Sequence, residues 1–293
     1  MKIAFAGKGG AGKTSITAWL ADHLARRGEN VWLVDADTAL SLGQACGLDP
    51  AALPAPLAER EDIIRQHIGQ GYMSLNPDVS GLPDTLSVDA PLGGPALPGV
   101  SPGRKRLLVM GTIAGATNGQ GGGCACAANA LLKAVLAHLI LERREWVLVD
   151  LEAGVEHLGR GTVADVDALV VVSEPSLRAL STAGEVSRLA RGLGLSRQVL
   201  ALNRCEPDLA LPTQLAAQLN LQMDLPERML RIPALAGLKA RQLESGSVLG
   251  LPEDDAIGAL CDELLERLGS SGTKAPEPCR NMTASVSVAL GAP

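Results

Sequence analysis

Gly7-Lys8-Gly9-Gly10-Ala11-Gly12-Lys13-Thr14 has the spacing G-x-x-x-x-G-K-T. It lies between a short apolar run, Ile3 to Ala6, and an amphipathic stretch, Lys13 to Arg27, that stops at Gly28. A strand feeding a glycine-rich turn and then a helix is what a phosphate-binding loop requires. The glycines let backbone N–H groups converge on phosphate oxygens, and the helix N-terminus adds the positive end of its dipole. In that geometry Lys13 reaches the β- and γ-phosphates of ATP and the Thr14 hydroxyl ligates Mg²⁺, while Gly9, Gly10, Ala11, Gly12 and Ser15 complete the cradle. A glycine-rich turn without a ligand fits poorly with a strand and a helix on either side.

Working outward, further short apolar runs occur at Val31 to Val34, Leu107 to Met110, Trp146 to Val149, Ala168 to Val172 and Val199 to Leu202, none with period-two alternation. Strands buried on both faces read this way. Helical stretches lie between them, among them Asn129 to Arg143 and Ser176 to Arg191, the latter ending at Gly192. The alternation predicts an α/β fold: a mostly parallel sheet of about seven or eight strands flanked by helices on both faces. One domain over 1–268 is expected. Its 48–105 segment, with Asn76-Pro77, Leu82-Pro83 and Gly99-Val100-Ser101-Pro102-Gly103, reads as a loop-rich insertion, and the tail 269–293, rich in Ser, Pro, Thr and Ala, as disordered.

Composition narrows the function. Of 293 residues 46% are hydrophobic but only 2% aromatic, so the core must be built from Ala, Leu and Val, and base-stacking platforms for single-stranded nucleic acid are not expected. The net charge of -6 argues against a general binder of phosphate backbones or anionic lipid, and Gly103 to Arg106 is the one short basic cluster. Neither nucleic acid nor a membrane is an expected partner. The N-terminus runs straight into the loop and no apolar run approaches the roughly 20 residues of a membrane span, which predicts a cytoplasmic protein. Its six cysteines are then thiols or metal ligands rather than disulfides.

Lys8 lies too near the strand end to duplicate the work of Lys13 on the same nucleotide. It resembles the signature lysine of the deviant Walker A family, which includes nitrogenase iron protein, the Min and Par positioning ATPases and the arsenite-pump ATPase. The resemblance implies that Lys8 crosses a homodimer interface to the partner's nucleotide, where its charge acts as an arginine finger does. Asp35 and Asp37 end the second apolar strand and Asp150 ends Trp146 to Val149; carboxylates at strand ends face the ligand crevice, although they also serve as caps. The resemblance implies that Asp37 orients the attacking water, that Lys8, Lys13 and Asp37 are catalytic, and that Asp35, Asp37 and Asp150 join Thr14 around Mg²⁺. Asn203-Arg204 resembles the family's adenine-recognising pair; a turn-forming Asn is the alternative. Thr38 stands where the family usually has proline.

Gly121-Gly122-Gly123-Cys124-Ala125-Cys126 sets two thiols two residues apart just before a helix, where the partial positive charge of a helix N-terminus favours thiolates. Two thiolates half-fill a four-coordinate site, and a twofold dimer would complete it. Thiolates take Zn²⁺, Cu(I) and iron-sulfur clusters as well as Ni²⁺. Gly123 to Cys126, Asn129-Ala130-Leu131-Leu132 and Asp150 through Glu152-Ala153-Gly154-Val155-Glu156-His157-Leu158-Gly159-Arg160-Gly161-Thr162 resemble the CooC-type nickel-insertion ATPases of carbon monoxide dehydrogenase. Ala127 replaces the proline expected after the second cysteine. This resemblance implies a nucleotide-dependent homodimer that binds Ni²⁺, with Zn²⁺ possible in its place, through Cys124 and Cys126 of both subunits, and apo carbon monoxide dehydrogenase as client. A positioning ATPase would need a basic amphipathic C-terminal helix or a basic surface, and an iron-sulfur scaffold usually carries Cys-x-x-Cys. His157 reads as a structural or supporting residue, and Cys46, Cys205 and Cys261 as core.

Overall fold

The computed structural model describes residues 1–37, 39–68, 78–110, 131, 134–139, 145–151, 166–206 and 224–269. Eight strands form one sheet: β1 (Lys2–Gly7), β2 (Val31–Ala36), β3 (Val88–Asp89), β4 (Lys105–Val109), β5 (Trp146–Leu151), β6 (Ala168–Ser173), β7 (Gln198–Cys205) and β8 (Arg228–Pro233). Their order is β3-β4-β2-β5-β1-β6-β7-β8. Every neighbouring pair is parallel except β3 with β4. From β1 the chain moves out through β2 and β4, returns to β5, and then builds the other half through β6, β7 and β8. The loop after β1 therefore opens at the reversal of strand order, where α/β sheets hold their ligands.

The helices are α1 (Lys13–Arg26), α2 (Leu42–Ala45), α3 (Glu61–Ile68), α4 (Leu82–Leu86), α5 (Leu177–Gly192), α6 (Ala236–Arg241) and α7 (Asp254–Arg267). Both sheet faces are covered. Ile3 and Phe5 of β1 point into one core with Trp19, Leu20 and Leu24 of α1 and Ile257, Cys261 and Leu264 of α7. Ala4 and Ala6 point into the other, with Leu180, Ala183 and Val186 of α5, Ile64 and Ile68 of α3, and Leu131, Val135 and Leu139. Two cores explain the unbroken apolar runs, because every residue of β5 and β6 is buried whichever way it faces. The α5 helix starts where Ser176 Oγ accepts from the Ala179 N–H at 3.3 Å.

The sheet and its parallel order agree with expectation, and two strands add to it. β8 lacks a uniform apolar run because, as an edge strand, it buries Leu230 and Ile232 but exposes Arg228 and Arg231. β3 is a two-residue pairing inside 48–105, a segment whose Leu57, Ile63, Ile64 and Ile68 also reach the core. Of the predicted helix Asn129 to Arg143, residues 131 and 134–139 are helical and the others lie outside the described residues, as does 270–293. Among the described residues no helix is long and apolar enough to cross a membrane.

The three tryptophans are buried. Trp19 Nε1 donates to the Val248 carbonyl at 2.9 Å. Trp32 and Trp146 sit at the starts of their strands and donate to Glu145 and Glu29. At the opposite end of the sheet β1 passes tightly by β6: a Cβ on Gly7, whose φ is 147°, would lie 2.1 Å from the Val172 carbonyl oxygen. That oxygen belongs to a buried strand and cannot give way. Gly7→Ala should therefore destabilise the fold by roughly 3 kcal/mol, read as a clear drop in melting temperature. An unchanged melting curve would contradict this packing.

Candidate nucleotide site

The loop leaves β1 at Gly7 and enters α1 through Gly12, whose φ of 103° is left-handed. No side chain caps α1 and its first turn carries no acidic residue, so those N–H groups face a ligand position rather than the protein's own carboxylates. Lys13 is 5% exposed, while Lys8 stands half-exposed on the loop. Asn203, at the end of β7, lies directly beneath: its Nδ2 donates to the Ala11 carbonyl at 2.8 Å, and a Cβ on Gly12 would fall 2.2 Å from that nitrogen. Its Oδ1 accepts from the Arg204 N–H at 2.9 Å. Asn203 thus braces the loop and keeps one N–H and one lone pair. Arg204, at φ 58°, turns its guanidinium to Glu174.

On the other side of the loop, Asp35 and Asp150 are paired neighbours on β2 and β5. Thr14 Oγ1 donates to Asp150 Oδ2 at 2.6 Å and lies 3.4 Å from Ser41 Oγ. Asp35 Oδ2 accepts from the Leu42 N–H at 3.0 Å, and its Oδ1 from the Asp37 N–H at 3.3 Å. Asp37 Oδ1 accepts from Ala39 N at 3.0 Å, and Leu40 follows at φ 45°. These bonds tie Asp37 and Leu42 to Asp35 and Ala39 to Asp37, and Ser41 lies beside Thr14. Thr38 itself lies outside the described residues.

The donors suit a magnesium ion. Asp150 Oδ1 is buried and has no hydrogen-bond partner among the described residues, an arrangement that a cation relieves. The available groups are all oxygens, as a hard cation prefers, and Mg²⁺ is commonly held by one or two carboxylates together with phosphates. Among the described residues no three His, Cys, Asp or Glu side chains converge as a metal cage, so Thr14 and phosphate oxygens must complete the shell. Cys124, Cys126 and His157 lie outside the described residues. Cys46, Cys205 and Cys261 are buried free thiols, and burial pushes the Cys46 thiol up to about 12, which makes it inert. Two contacts had not been foreseen from sequence, Ser41 against Thr14 and Asn203 against Ala11; both join residues far apart in the chain without any motif to mark them.

Residues 2–232 match the family described as the CobQ/CobB/MinD/ParA nucleotide binding domain. The chain belongs to that family. It is 35% identical to the carbon monoxide dehydrogenase accessory protein CooC of Rhodospirillum rubrum over 279 residues, 92% of this chain and 98% of the relative. An ATP-binding protein of Methanocaldococcus jannaschii is 38% identical over 211 residues, covering 70% of this chain and 75% of its own. In fold the chain is similar to a plasmid partition protein of Borrelia burgdorferi bound to AMPPNP, with a TM-score of 0.61 at 16% identity, covering 91% of this chain and 98% of the other. It is likewise similar to a chain of the Aquifex aeolicus MinC:MinD complex, with a TM-score of 0.59 at 18% identity, covering 94% and 98%.

By family description residues 2–232 form a nucleotide-binding domain, and two carboxylates beside its loop are shifted by burial. Burial raises Asp150 to about 7; the Thr14 hydrogen bond and Lys13 oppose the rise, and the charges of Asp35 and Asp37 add to it. Burial likewise raises Asp35 to about 6, against the N–H groups of Leu42 and Asp37. Both groups start from an ordinary value of 3.8, so over the window from about 4 to about 7 the folded chain binds more protons than the unfolded one. Stability contributed by these two groups therefore falls as pH rises through that window. In divalent-free buffer, Asp150→Asn should raise the melting temperature at pH 8 relative to the parent by an amount equivalent to on the order of 3 kcal/mol, with little difference at pH 4.5. The same variant should lose magnesium-dependent nucleotide binding. Parallel pH profiles for the two proteins would refute the assignment.

Proposed function

We propose that this chain is an ATP-hydrolysing metallochaperone that works as a homodimer, carries nickel as its cargo and delivers it to apo carbon monoxide dehydrogenase. The similarity to the Rhodospirillum rubrum accessory protein, which spans nearly the full length of both chains, carries the reading. The Cys-x-Cys pair supports it, because two thiolates per subunit need a second subunit to finish a four-sulfur site.

In this reading Gly9, Gly10, Ala11, Gly12 and Ser15 hold the phosphates by their backbone N–H groups, and Lys13 contacts the β- and γ-phosphates. Asn203 and Arg204 border the adenine. Thr14 and Asp150 would hold Mg²⁺, with Asp35 and Asp37 supporting its outer shell, and the ion would supply neutralisation of phosphate charge. Asp37 orients the attacking water. The Lys8 carbonyl accepts from the Ala11 N–H, but its side chain has no hydrogen-bond or ion-pair partner among the described residues; it reaches across the dimer to the partner's nucleotide, so hydrolysis and dimerisation are linked. Cys124 and Cys126 of each subunit take the nickel, or zinc in its place, in the ATP-bound dimer. The protein acts in the cytoplasm, without a nucleic-acid or membrane partner.

Anaerobic metal analysis combined with size-exclusion mass, with and without ATP and Ni²⁺, tests both halves. Replacing Cys124 and Cys126 together by Ser should abolish tight nickel binding and leave nucleotide affinity within about twofold; stoichiometric nickel on that variant would defeat the cargo assignment. Lys8→Ala should retain ATP binding yet lower kcat by about a hundredfold or more and lose the ATP-dependent dimer. A monomeric variant that hydrolyses ATP at the parent rate would overturn the role given to Lys8.

A further inference from the structure

The end of the sheet away from the nucleotide site holds a cleft of about 380 Å³ lined by Arg191, Arg197 and Arg228 together with Ser196, Gln198 and Glu227. A volume of this size suits a small molecule, since ligand pockets span about 300–1,000 Å³. The three arginines come from three elements. Arg191 is in the last turn of α5, Arg197 precedes β7 and Arg228 opens β8. Because β7 and β8 are parallel neighbours and α5, packed on β6, runs back to the start of β7, the fold places all three at one rim. The chain is acidic overall, with a net charge of -6, so the grouping is no by-product of a basic composition.

The walls are fixed before any ligand arrives. Gln198 is 7% exposed; its Nε2 donates to the carbonyls of Leu195 at 2.6 Å and Ser187 at 3.1 Å, and its Oε1 accepts from Ser187 Oγ at 2.7 Å. Arg228 Nη1 donates to the Arg267 carbonyl at the end of α7 at 2.6 Å. Arg191 Nη2 donates to the Asp224 carbonyl and lies 3.6 Å from that residue's Oδ1. Each of these two guanidiniums is anchored through one nitrogen and keeps further N–H groups. The Arg197 side chain has no hydrogen-bond or ion-pair partner among the described residues. Glu227 and Asp224 balance part of the charge and leave an excess of one positive charge.

Planar guanidiniums present paired N–H donors that match the oxygens of a phosphate, and a cleft concentrates their field. We propose that this cleft is a second ligand site, separate from the nucleotide loop, which binds the phosphate group of a small phosphorylated molecule between Arg191, Arg197 and Arg228. Glu227 at its edge accepts a hydrogen bond from a hydroxyl or amine elsewhere on that molecule.

The test uses full-length protein saturated with Mg·ADP, so that the phosphate loop is already filled, and titrates inorganic phosphate by calorimetry in low-salt buffer, with succinate as a dicarboxylate control. One saturable phosphate site is expected. Arg197→Gln should weaken it about tenfold and Arg228→Gln comparably, the loss typical of a hydrogen bond to a charged group. Arg197 is exposed and anchors nothing described, so its variant should keep the parent melting temperature and Mg·ADP affinity. Absence of saturable binding, or binding untouched by both substitutions, would overturn the proposal, and succinate binding as tightly as phosphate would overturn the phosphate assignment.

Discussion

Two carboxylates lie side by side on adjacent buried strands, Asp35 on β2 and Asp150 on β5, and Asp150 Oδ1 has no hydrogen-bond partner among the described residues. The surrounding groups are arranged about that deficit. Thr14 at the head of α1 supplies Asp150 with a single hydrogen bond, and the backbone N–H groups of Leu42 and Asp37 supply Asp35. Burial raises both carboxylates, so a divalent cation would be favoured beside them.

The opposite end of the sheet solves the same problem differently. Lys105 is fully buried at the start of β4, yet its Nζ meets Asp22 Oδ1 at 2.7 Å. Arg106 stacks over Trp32 at 3.8 Å and bonds Asp84 and Glu145. The charges of Lys105 and Arg106 are matched within the chain, a structural role, since removing one member of a buried pair leaves the other stranded. The ion-paired Lys105 and Arg106 contrast with the buried Asp150 Oδ1, which has no hydrogen-bond partner among the described residues, and that contrast separates scaffold from site more cleanly than burial alone does.

Much of this was legible in the residues themselves. The phosphate loop announces its own strand and helix, and the uniformly apolar runs of β5 and β6 could only be strands covered on both faces. Edge elements were not legible. β8 alternates charged and apolar residues over too few positions to stand out, and β3 is too short to carry a pattern. Within the site, Lys13, Thr14 and Asp150 follow from local motifs, whereas the brace from Asn203 to Ala11 joins residues 192 positions apart, and only the fold brings them together. The arginine cleft has no sequence signature for the same reason: its three cations are separated in sequence and gathered by the end of α5 and the starts of β7 and β8.

The distribution of indoles has a practical side. Trp32 and Trp146 are enclosed at the end of the sheet remote from the phosphate loop, and Trp19 is sealed between α1 and the Val248 segment. Intrinsic emission from the native chain should be blue-shifted and shielded from aqueous quenchers. It reports on loss of the core and stays nearly silent to events at the nucleotide, so optical studies of turnover will need a fluorophore placed on the ligand or on the loop face.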